Sequence, residues 1–293
     1  MTENNFVILT DSACDIKQET ADQLQLEVLP LSLHMGDAVY KNYLDGRELD
    51  TDDFYRKMRE GGILPTTSAV NTGEWAAAAE PHLQAGQDVL ILAFSSGLSA
   101  TYQAAKITCD DLREKYPDRR IEAVDTLCAS LGQGLLVYLT AKRRLAGDSF
   151  TQVRDFAENT KLHLCHWFTV DDLGHLRRGG RISGATALLG SLLGIKPILH
   201  VDDEGHLIAM GKVRGRKASL AALVDHMAET VTDVQSQEIF ISHGDCPADA
   251  EALAEMIRSR FGVQHIYINP IGPVIGAHSG PGTLALFFLG THR

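Results

Sequence analysis

The feature that most constrains the fold is an alternation of short apolar runs with segments of helical period in the first half of the chain. Residues 6–10, 89–94 and 121–124 have the length and composition of buried strands. The segments that follow them predict helices at 16–24, 98–116 and 129–146. This alternation is typical of a mainly parallel sheet with helices on both faces, where ligands bind at the carboxyl ends of strands.

The second half of the chain has a different character. A strand is expected at 164–170 and an apolar helix at 185–193, and Asp202-Asp203-Glu204-Gly205 has the composition of a hairpin turn between two strands. We therefore predict a two-domain α/β fold. Its N-terminal α/β domain spans 1–163, and its C-terminal α+β domain, with an antiparallel or mixed sheet, spans 164–293.

Composition narrows the class of partner. The 293 residues are 44% hydrophobic, enough for a sizeable core, and the net charge of -11 argues against a nucleic-acid binder. The first apolar run, 6–9, is too short for a signal peptide, and no run approaches the length of a transmembrane helix. Five scattered cysteines without a C-x-x-C pair favour reduced thiols, so we expect a cytoplasmic protein.

Two clusters of hydroxyl side chains precede predicted helices. One begins at Ser95 and Ser96, directly after the buried strand 89–94, and the other is Thr66-Thr67-Ser68. The start of a helix presents unpaired N–H groups and a positive dipole, so an anion fits there. Helix capping and hydrogen bonds within the loops are the structural alternatives for the same side chains.

Two further segments concentrate polar groups among glycines. Arg177-Arg178-Gly179-Gly180-Arg181 carries three guanidinium groups, which bind carboxylate or phosphate, although a helix C-terminus accounts for its first three residues. The segment 271–282 is dense in glycine and proline and contains His278, and an apolar strip, 283–289, follows it. We expect 271–282 to form one specific loop around His278 before the chain re-enters the core.

Other chemistries are less well supported. His163, Cys165 and His166 are not accompanied by a second ligand pair at a diagnostic spacing, so no metal site is expected. The stretch from Gly97 through Ser99 to Thr101 approximates the G-x-S-x-G motif of hydrolases but ends in threonine. The sequence has neither a Walker-type phosphate loop nor a G-x-G-x-x-G motif after a strand.

Taken in chain order, seven segments resemble the DegV family of bacterial fatty-acid-binding proteins. The matching segments are Thr10-Asp11-Ser12, Thr66-Thr67-Ser68, SSGLSATYQAA from Ser95, VDT from Val124, LRRGGRIS from Leu176, LLGIKPIL from Leu192 and IGPVIGAHSGPGTLALFFLG from Ile271. The chain departs from the family pattern at Ala100, where glycine is frequent, and at Ala69-Val70, where Gln-Pro is frequent.

The resemblance implies a long-chain fatty acid bound between the two domains. The carboxylate would contact Thr67 or Ser68, Ser95 or Ser96, the backbone N–H of Gly97, and the side chains of Arg181, His278 and Ser279. The tail would lie in an apolar tunnel lined by Leu188, Leu192, Ile195 and Phe287, and burial of about 16 carbons would contribute on the order of 12 kcal/mol before ordering costs.

The resemblance also implies a role for this complex. Family members present the bound carboxylate to a separate ATP-using fatty-acid kinase, which forms an acyl phosphate for phospholipid synthesis. Arg177, Arg178 and Arg214 would then contact the kinase, and transient contact with a membrane surface is compatible with this role. On this interpretation the chain is a carrier without catalytic residues, metal or cofactor.

One alternative comes from a different class of protein. Ser96 or Ser99 together with His278 would be the nucleophile and base of an acyl hydrolase. The sequence leaves open the length and saturation of the fatty acid, the oligomeric state and the existence of a cognate kinase.

Overall fold

The computed structural model describes residues 5–61, 64–182 and 194–293. The strands within these ranges are β1 (Phe6–Asp11), β2 (Leu26–Leu29), β3 (Ser32–Met35), β4 (Ala38–Lys41), β5 (Thr66–Ser68), β6 (Asp88–Ala93), β7 (Ile121–Asp125), β8 (Leu164–Thr169), β9 (Ile195–Val201), β10 (Leu207–Arg214), β11 (Ile239–His243), β12 (Ile266–Pro270) and β13 (Leu284–Leu289). The α-helices are α1 (Gln18–Gln23), α2 (Thr51–Glu60), α3 (Thr72–Gln84), α4 (Thr101–Lys115), α5 (Leu131–Leu145), α6 (Phe150–Thr160), α7 (Gly174–Arg178), α8 (Arg216–Thr230), α9 (Pro247–Phe261) and α10 (Pro273–Ser279).

The first sheet is parallel and is covered on both faces. Its strand order is β2-β1-β6-β7, and every neighbouring pair runs in the same direction. Side chains alternate along each strand, so Leu9 and Ile91 pack towards α3 and α4, whereas Ile8 and Leu90 pack towards α5 and α6. This is the arrangement that the alternation of apolar runs and helical segments predicts.

The second sheet is mixed and has six strands. Its order is β10-β9-β8-β13-β11-β12, with β11 and β12 parallel and the other pairs antiparallel. Helices α8 and α9 pack on one face through a cluster that includes Leu223 and Leu253. Phe168 and Phe287 on the opposite face join the core of the first sheet. The predicted two-domain α/β fold is confirmed, and the predicted hairpin at 202–205 joins β9 to β10.

A third sheet, β4-β3-β5, is small and antiparallel. Strand β3 pairs with Thr66–Ser68, a contact between distant parts of the chain that local sequence patterns do not predict. The pair Leu33 and Thr67 belongs to this pairing. The buried Leu33 packs with Phe54 of α2 and Ala277 of α10, so the sheet lies against the end of the chain.

The expected loop around His278 is largely a helix, and this expectation was wrong. Helix α10 spans Pro273–Ser279. A proline in the first turn of a helix is favourable because its ring fixes φ and no N–H donor is needed there. Gly280 has φ +80° directly after the helix. Gly276 allows a close contact, because a Cβ at that position would lie 2.6 Å from Oη of the buried Tyr55.

A buried carboxylate joins segments that are far apart in the sequence. Asp15 accepts hydrogen bonds from Ser130 Oγ at 2.6 Å and from the Gly272 backbone N–H at 3.0 Å. The Ser130 hydroxyl also lies 3.0 Å from Ser242 Oγ, at the carboxyl end of β11. This network therefore connects the first and second sheets. Burial raises the pKa of the Asp15 carboxyl from 3.8 to about 7.

This raised pKa predicts a specific pH dependence of stability. The folded chain retains the Asp15 proton up to about pH 7, whereas the unfolded chain releases it near pH 3.8. The folded state thus binds more protons in this window, and the contribution of Asp15 to the free energy of unfolding falls as the pH rises. We expect Asp15→Asn to gain stability relative to the wild type between about pH 4 and about pH 8, measured by urea unfolding.

Asp118→Asn is the matched control, because Asp118 is exposed. Its difference from the wild type should be independent of pH. A constant difference between Asp15→Asn and the wild type across the same range would contradict the assignment.

Candidate ligand-binding site

A largely apolar cavity lies between the first sheet and the face of the second sheet that carries Phe168 and Phe287. Its volume is about 230 Å³. Leu31, Phe94 and Ala129 line it from segments that follow the carboxyl ends of β2, β6 and β7, which is the ligand-binding edge of a parallel sheet. Phe168 of β8 and Phe287 of β13 line it from the second sheet.

Thr67 and His278 form a hydrogen-bonded pair on the cavity wall. Thr67 Oγ1 lies 2.8 Å from His278 Nε2. Pairing of β5 with β3 positions Thr67, and His278 lies in the last turn of α10. The end of α7 packs closely on the imidazole, since a Cβ on Gly179 would lie 2.4 Å from His278 Nδ1. The contact therefore depends on three elements that the sequence alone does not place together.

The imidazole of His278 is neutral at neutral pH. Burial, together with the positive charge of Arg181, lowers the pKa of His278 from 6.5 to about 4. A neutral imidazole has one N–H donor and one acceptor nitrogen. The positive charge at this part of the wall therefore comes from the guanidinium of Arg181.

Arg181 is half-buried beside the loop that precedes α4. Its Nε donates to the Leu98 carbonyl at 3.2 Å, and its Nη1 donates to the Gly179 carbonyl. A guanidinium group has five N–H donors, so these two bonds leave others for a ligand. The carbonyl contacts fix the position of the charge without neutralising it.

Two hydroxyl groups add to this polar part of the wall. Ser279 Oγ is buried and has no hydrogen-bond partner among the described residues. Ser99 also lines the cavity, and its Oγ lies 2.9 Å from Thr101 Oγ1. Thr67, Ser99, Arg181, His278 and Ser279 together form what we call the head-group cluster.

The other predicted polar ligands lie outside the lining of the cavity. Ser95 is buried, and its Oγ donates to the Gly205 carbonyl at 2.9 Å and accepts from the Gly97 N–H at 3.2 Å. Ser96 is exposed, and its backbone N–H donates to Asp125 Oδ1. Ser68 is exposed and its Oγ lies 2.8 Å from His34 Nε2.

The predicted apolar ligands divide in a similar way. Phe287 lines the cavity, Ile195 is half-buried in β9 outside its lining, and Leu188 and Leu192 lie outside the described residues. Helix α10 supplies Val274 and Ile275, which the sequence interpretation missed. Their spacing of four and three residues before His278 would have placed all three on one helical face, had the segment been interpreted as a helix.

The arginines predicted to contact a partner are at the surface. Arg177 and Arg178 are exposed at the end of α7, four and three residues, respectively, before Arg181. Arg214 is exposed at the end of β10. The sequence analysis named four arginines, Arg177, Arg178, Arg181 and Arg214. Within the described residues, Arg181 is the one of these four that lines the cavity.

Among the described residues, neither Ser96 nor Ser99 is hydrogen-bonded to His278, as the hydrolase alternative would require. His278 Nε2 is hydrogen-bonded to Thr67, Ser99 Oγ to Thr101, and Ser96 is exposed. Over the ranges 5–61, 64–182 and 194–293, no group of three or more His, Cys, Asp or Glu side chains could hold a metal ion. Within the same ranges, no helix has the length and apolar character needed to cross a bilayer.

Solved structures with the same fold match almost the whole length of this chain. A fatty-acid-binding DegV family protein from Thermus thermophilus is 30% identical, with a TM-score of 0.88, and the match covers 98% of this chain and 99% of that one. DegV of Bacillus subtilis, a fatty-acid-binding protein, is 29% identical, with a TM-score of 0.85 and coverage of 98% and 99%.

Sequence relatives give the same result. A DegV domain-containing protein of Clostridium perfringens is 47% identical over 285 residues, which is 97% of each chain. A family model described as "Uncharacterised protein, DegV family" matches residues 5–291. This chain therefore belongs to the DegV family.

Proposed function

We propose that this protein binds one long-chain fatty acid, with the carboxylate at the head-group cluster and the tail along the apolar wall of the cavity. The observation that carries the proposal is the combination, in one cavity, of an apolar wall with a cluster that contains a positive charge and several hydrogen-bonding groups. The fatty-acid-binding relatives from Thermus thermophilus and Bacillus subtilis support it.

The head-group cluster has the chemistry that a carboxylate requires. A carboxylate only accepts hydrogen bonds, and Arg181 supplies donors together with a compensating charge. If His278 Nε2–H donates to Thr67 Oγ1, the hydroxyl proton of Thr67 is free to bond the ligand. The unpartnered Ser279 Oγ supplies a further donor. We assign the direct head-group contacts to Thr67, Arg181 and Ser279, and to His278 the role of orienting the Thr67 hydroxyl.

The tail supplies most of the binding energy on this account. Each buried methylene contributes about 0.8 kcal/mol, whereas one neutral hydrogen bond contributes about 1 kcal/mol net. Leu98, Phe168 and Leu176 are among the apolar side chains that would contact the tail. The head group therefore sets the orientation of the ligand, and the apolar wall sets most of its affinity.

The same arrangement is compatible with a carrier role. We propose a non-enzymatic protein of the cytoplasm that presents its fatty acid to an ATP-using kinase, with a domain boundary near residue 163 and the ligand between the two domains. Exposed Arg177 and Arg178 lie next to Arg181 in sequence, so a kinase bound to them would be close to the carboxylate. Arg214 is a further candidate contact for this partner. No cofactor is needed by the carrier itself.

The assignment of Thr67 predicts a defined loss of affinity. Thr67→Val keeps the shape of the side chain but removes the hydroxyl that pairs with His278. We expect the Kd for octadecanoic acid to rise about fivefold, the effect of roughly 1 kcal/mol. Isothermal titration calorimetry on delipidated protein measures this change.

The neighbouring Ser68 provides the control. Its side chain lies outside the lining of the cavity and bonds His34, so Ser68→Ala should leave the Kd unchanged. Equal losses in Thr67→Val and Ser68→Ala would contradict the assignment, and failure of the wild type to bind any long-chain fatty acid would contradict the proposed function.

The kinase-contact assignment makes a separate prediction. Replacement of both Arg177 and Arg178 by alanine should lower the rate of acyl-phosphate formation by a cognate kinase about tenfold, because charged interface residues govern encounter and docking. The Kd for the fatty acid should not change, since both arginines are outside the cavity lining. Arg258→Ala, on α9, is the control for a lost surface charge. An unchanged rate in the double variant would overturn the assignment.

A further inference from the structure

A second polar group lies in the cavity wall, apart from the head-group cluster. His166 of β8 lines the cavity, and its ring contacts the ring of Phe287 edge to face, with 5.3 Å between centroids. Its Nδ1 lies 3.0 Å from the Leu164 carbonyl. A carbonyl oxygen only accepts, so Nδ1 carries the proton and Nε2 is an unprotonated acceptor.

The Nε2 atom of His166 is an unsatisfied acceptor. It is buried and has no hydrogen-bond partner among the described residues. Burial, reinforced by the positive charge of Arg293 and the proximity of His200, holds the pKa of His166 well below its usual range, so protonation does not satisfy the nitrogen. Ser130, another hydroxyl of the cavity wall, donates its proton to Asp15 and does not supply the missing donor.

Gly132 of α5 packs closely against the edge of the imidazole. A Cβ at this position would lie 2.1 Å from His166 Nε2 and 2.9 Å from Phe287 Cδ1. Any side chain at 132 would therefore displace the histidine or cover its acceptor. The close approach of α5 to His166 therefore requires a glycine, and no side chain at position 132 pairs with Nε2.

His166 lies far from the proposed position of the ligand carboxylate. Thr283 lies at the polar end of the cavity, where its Oγ1 donates a hydrogen bond to the Ser279 carbonyl at 2.9 Å. Phe287, the β13 partner of His166, is four residues further on, which corresponds to about 13 Å along an extended strand. A ligand group beside His166 would therefore belong to the middle or distal part of the acyl chain.

A plain hydrocarbon chain cannot satisfy this acceptor. Burial of an unpaired acceptor against methylene groups retains the desolvation penalty, whereas a hydroxyl on the chain would remove it. We propose that the cavity prefers long-chain fatty acids that carry a hydroxyl group in the middle or distal part of the chain, with His166 Nε2 as the acceptor. This inference rests on the proposed fatty-acid binding and specifies the class of fatty acid.

The test compares octadecanoic acid with a series of monohydroxylated octadecanoic acids that differ in the position of the hydroxyl. We expect the delipidated wild type to bind one mid-chain or distal isomer about tenfold more tightly than octadecanoic acid, by calorimetry. Isomers with the hydroxyl next to the carboxylate should show no such gain. The position with the tightest binding locates His166 along the chain.

The variant His166→Phe removes the acceptor and keeps an aromatic ring beside Phe287. The Leu164 carbonyl still accepts a hydrogen bond from Arg293 Nε at 3.1 Å, so this substitution does not leave it unpaired. We expect the preference for the hydroxylated acid to disappear. Phe168→Leu is the control for altered wall shape, because it should weaken both classes of ligand without changing their ratio.

The binding measurements distinguish failure of this inference from failure of the proposed function. Tight binding of octadecanoic acid with no gain for any hydroxylated isomer would overturn this inference and leave the proposed function intact. Failure of every fatty acid to bind would overturn both. The wild-type comparison alone decides the inference if His166→Phe does not fold, and a preference that persists in a folded His166→Phe protein would also overturn it.

Discussion

The cavity depends on how the second sheet is held against the first. The face of the second sheet that carries Phe168 and Phe287 packs against the carboxyl ends of the strands of the first sheet. Asp15 is central to this junction, because its buried carboxylate accepts from Ser130 before α5 and from Gly272 before α10. Gly272 must be a glycine for this contact, since a Cβ there would lie 2.7 Å from Asp15 Oδ1. The same junction sets the start of α10 and thereby the position of His278.

The polar end of the cavity shows how an acidic protein could bind the proposed carboxylate. The chain has a net charge of -11, yet Arg181 places a guanidinium group beside a histidine that stays neutral at neutral pH. An anion there would meet one positive charge and several donors, and the neutral imidazole bonds Thr67 without adding a second buried charge. On the proposed function, head-group recognition and tail burial would be independently variable, because they would use different parts of the wall.

Much of the fold and part of the site were predictable from the sequence. The alternating first half, the hairpin at 202–205 and the two-domain α/β class follow from local patterns and are confirmed. Thr67, Arg181 and His278 carry unusual polar chemistry in their segments, and the structure brings them to one cavity. Local composition was sufficient to single out these segments and side chains, but not to place Thr67, Arg181 and His278 together.

Other features depend on contacts between distant segments. The pairing of β5 with β3 turns Thr67 rather than Ser68 towards the cavity, and alternation along a strand does not reveal which neighbour forms that pair. The glycines and prolines of 271–282 suggested a loop, but Pro273 and Gly280 instead mark the limits of a short helix. Ser99 lines the cavity because α4 begins at Thr101, two residues later.

The central claim is that the cavity holds an intact fatty acid. Native mass spectrometry of gently purified protein, followed by denaturation and lipid identification, tests it most directly. The account predicts one non-covalently bound, unmodified long-chain fatty acid per chain. A protein that carries no lipid and releases fatty acid from added esters, with that activity abolished by Ser96→Ala or Ser99→Ala, would contradict the account and favour a hydrolase.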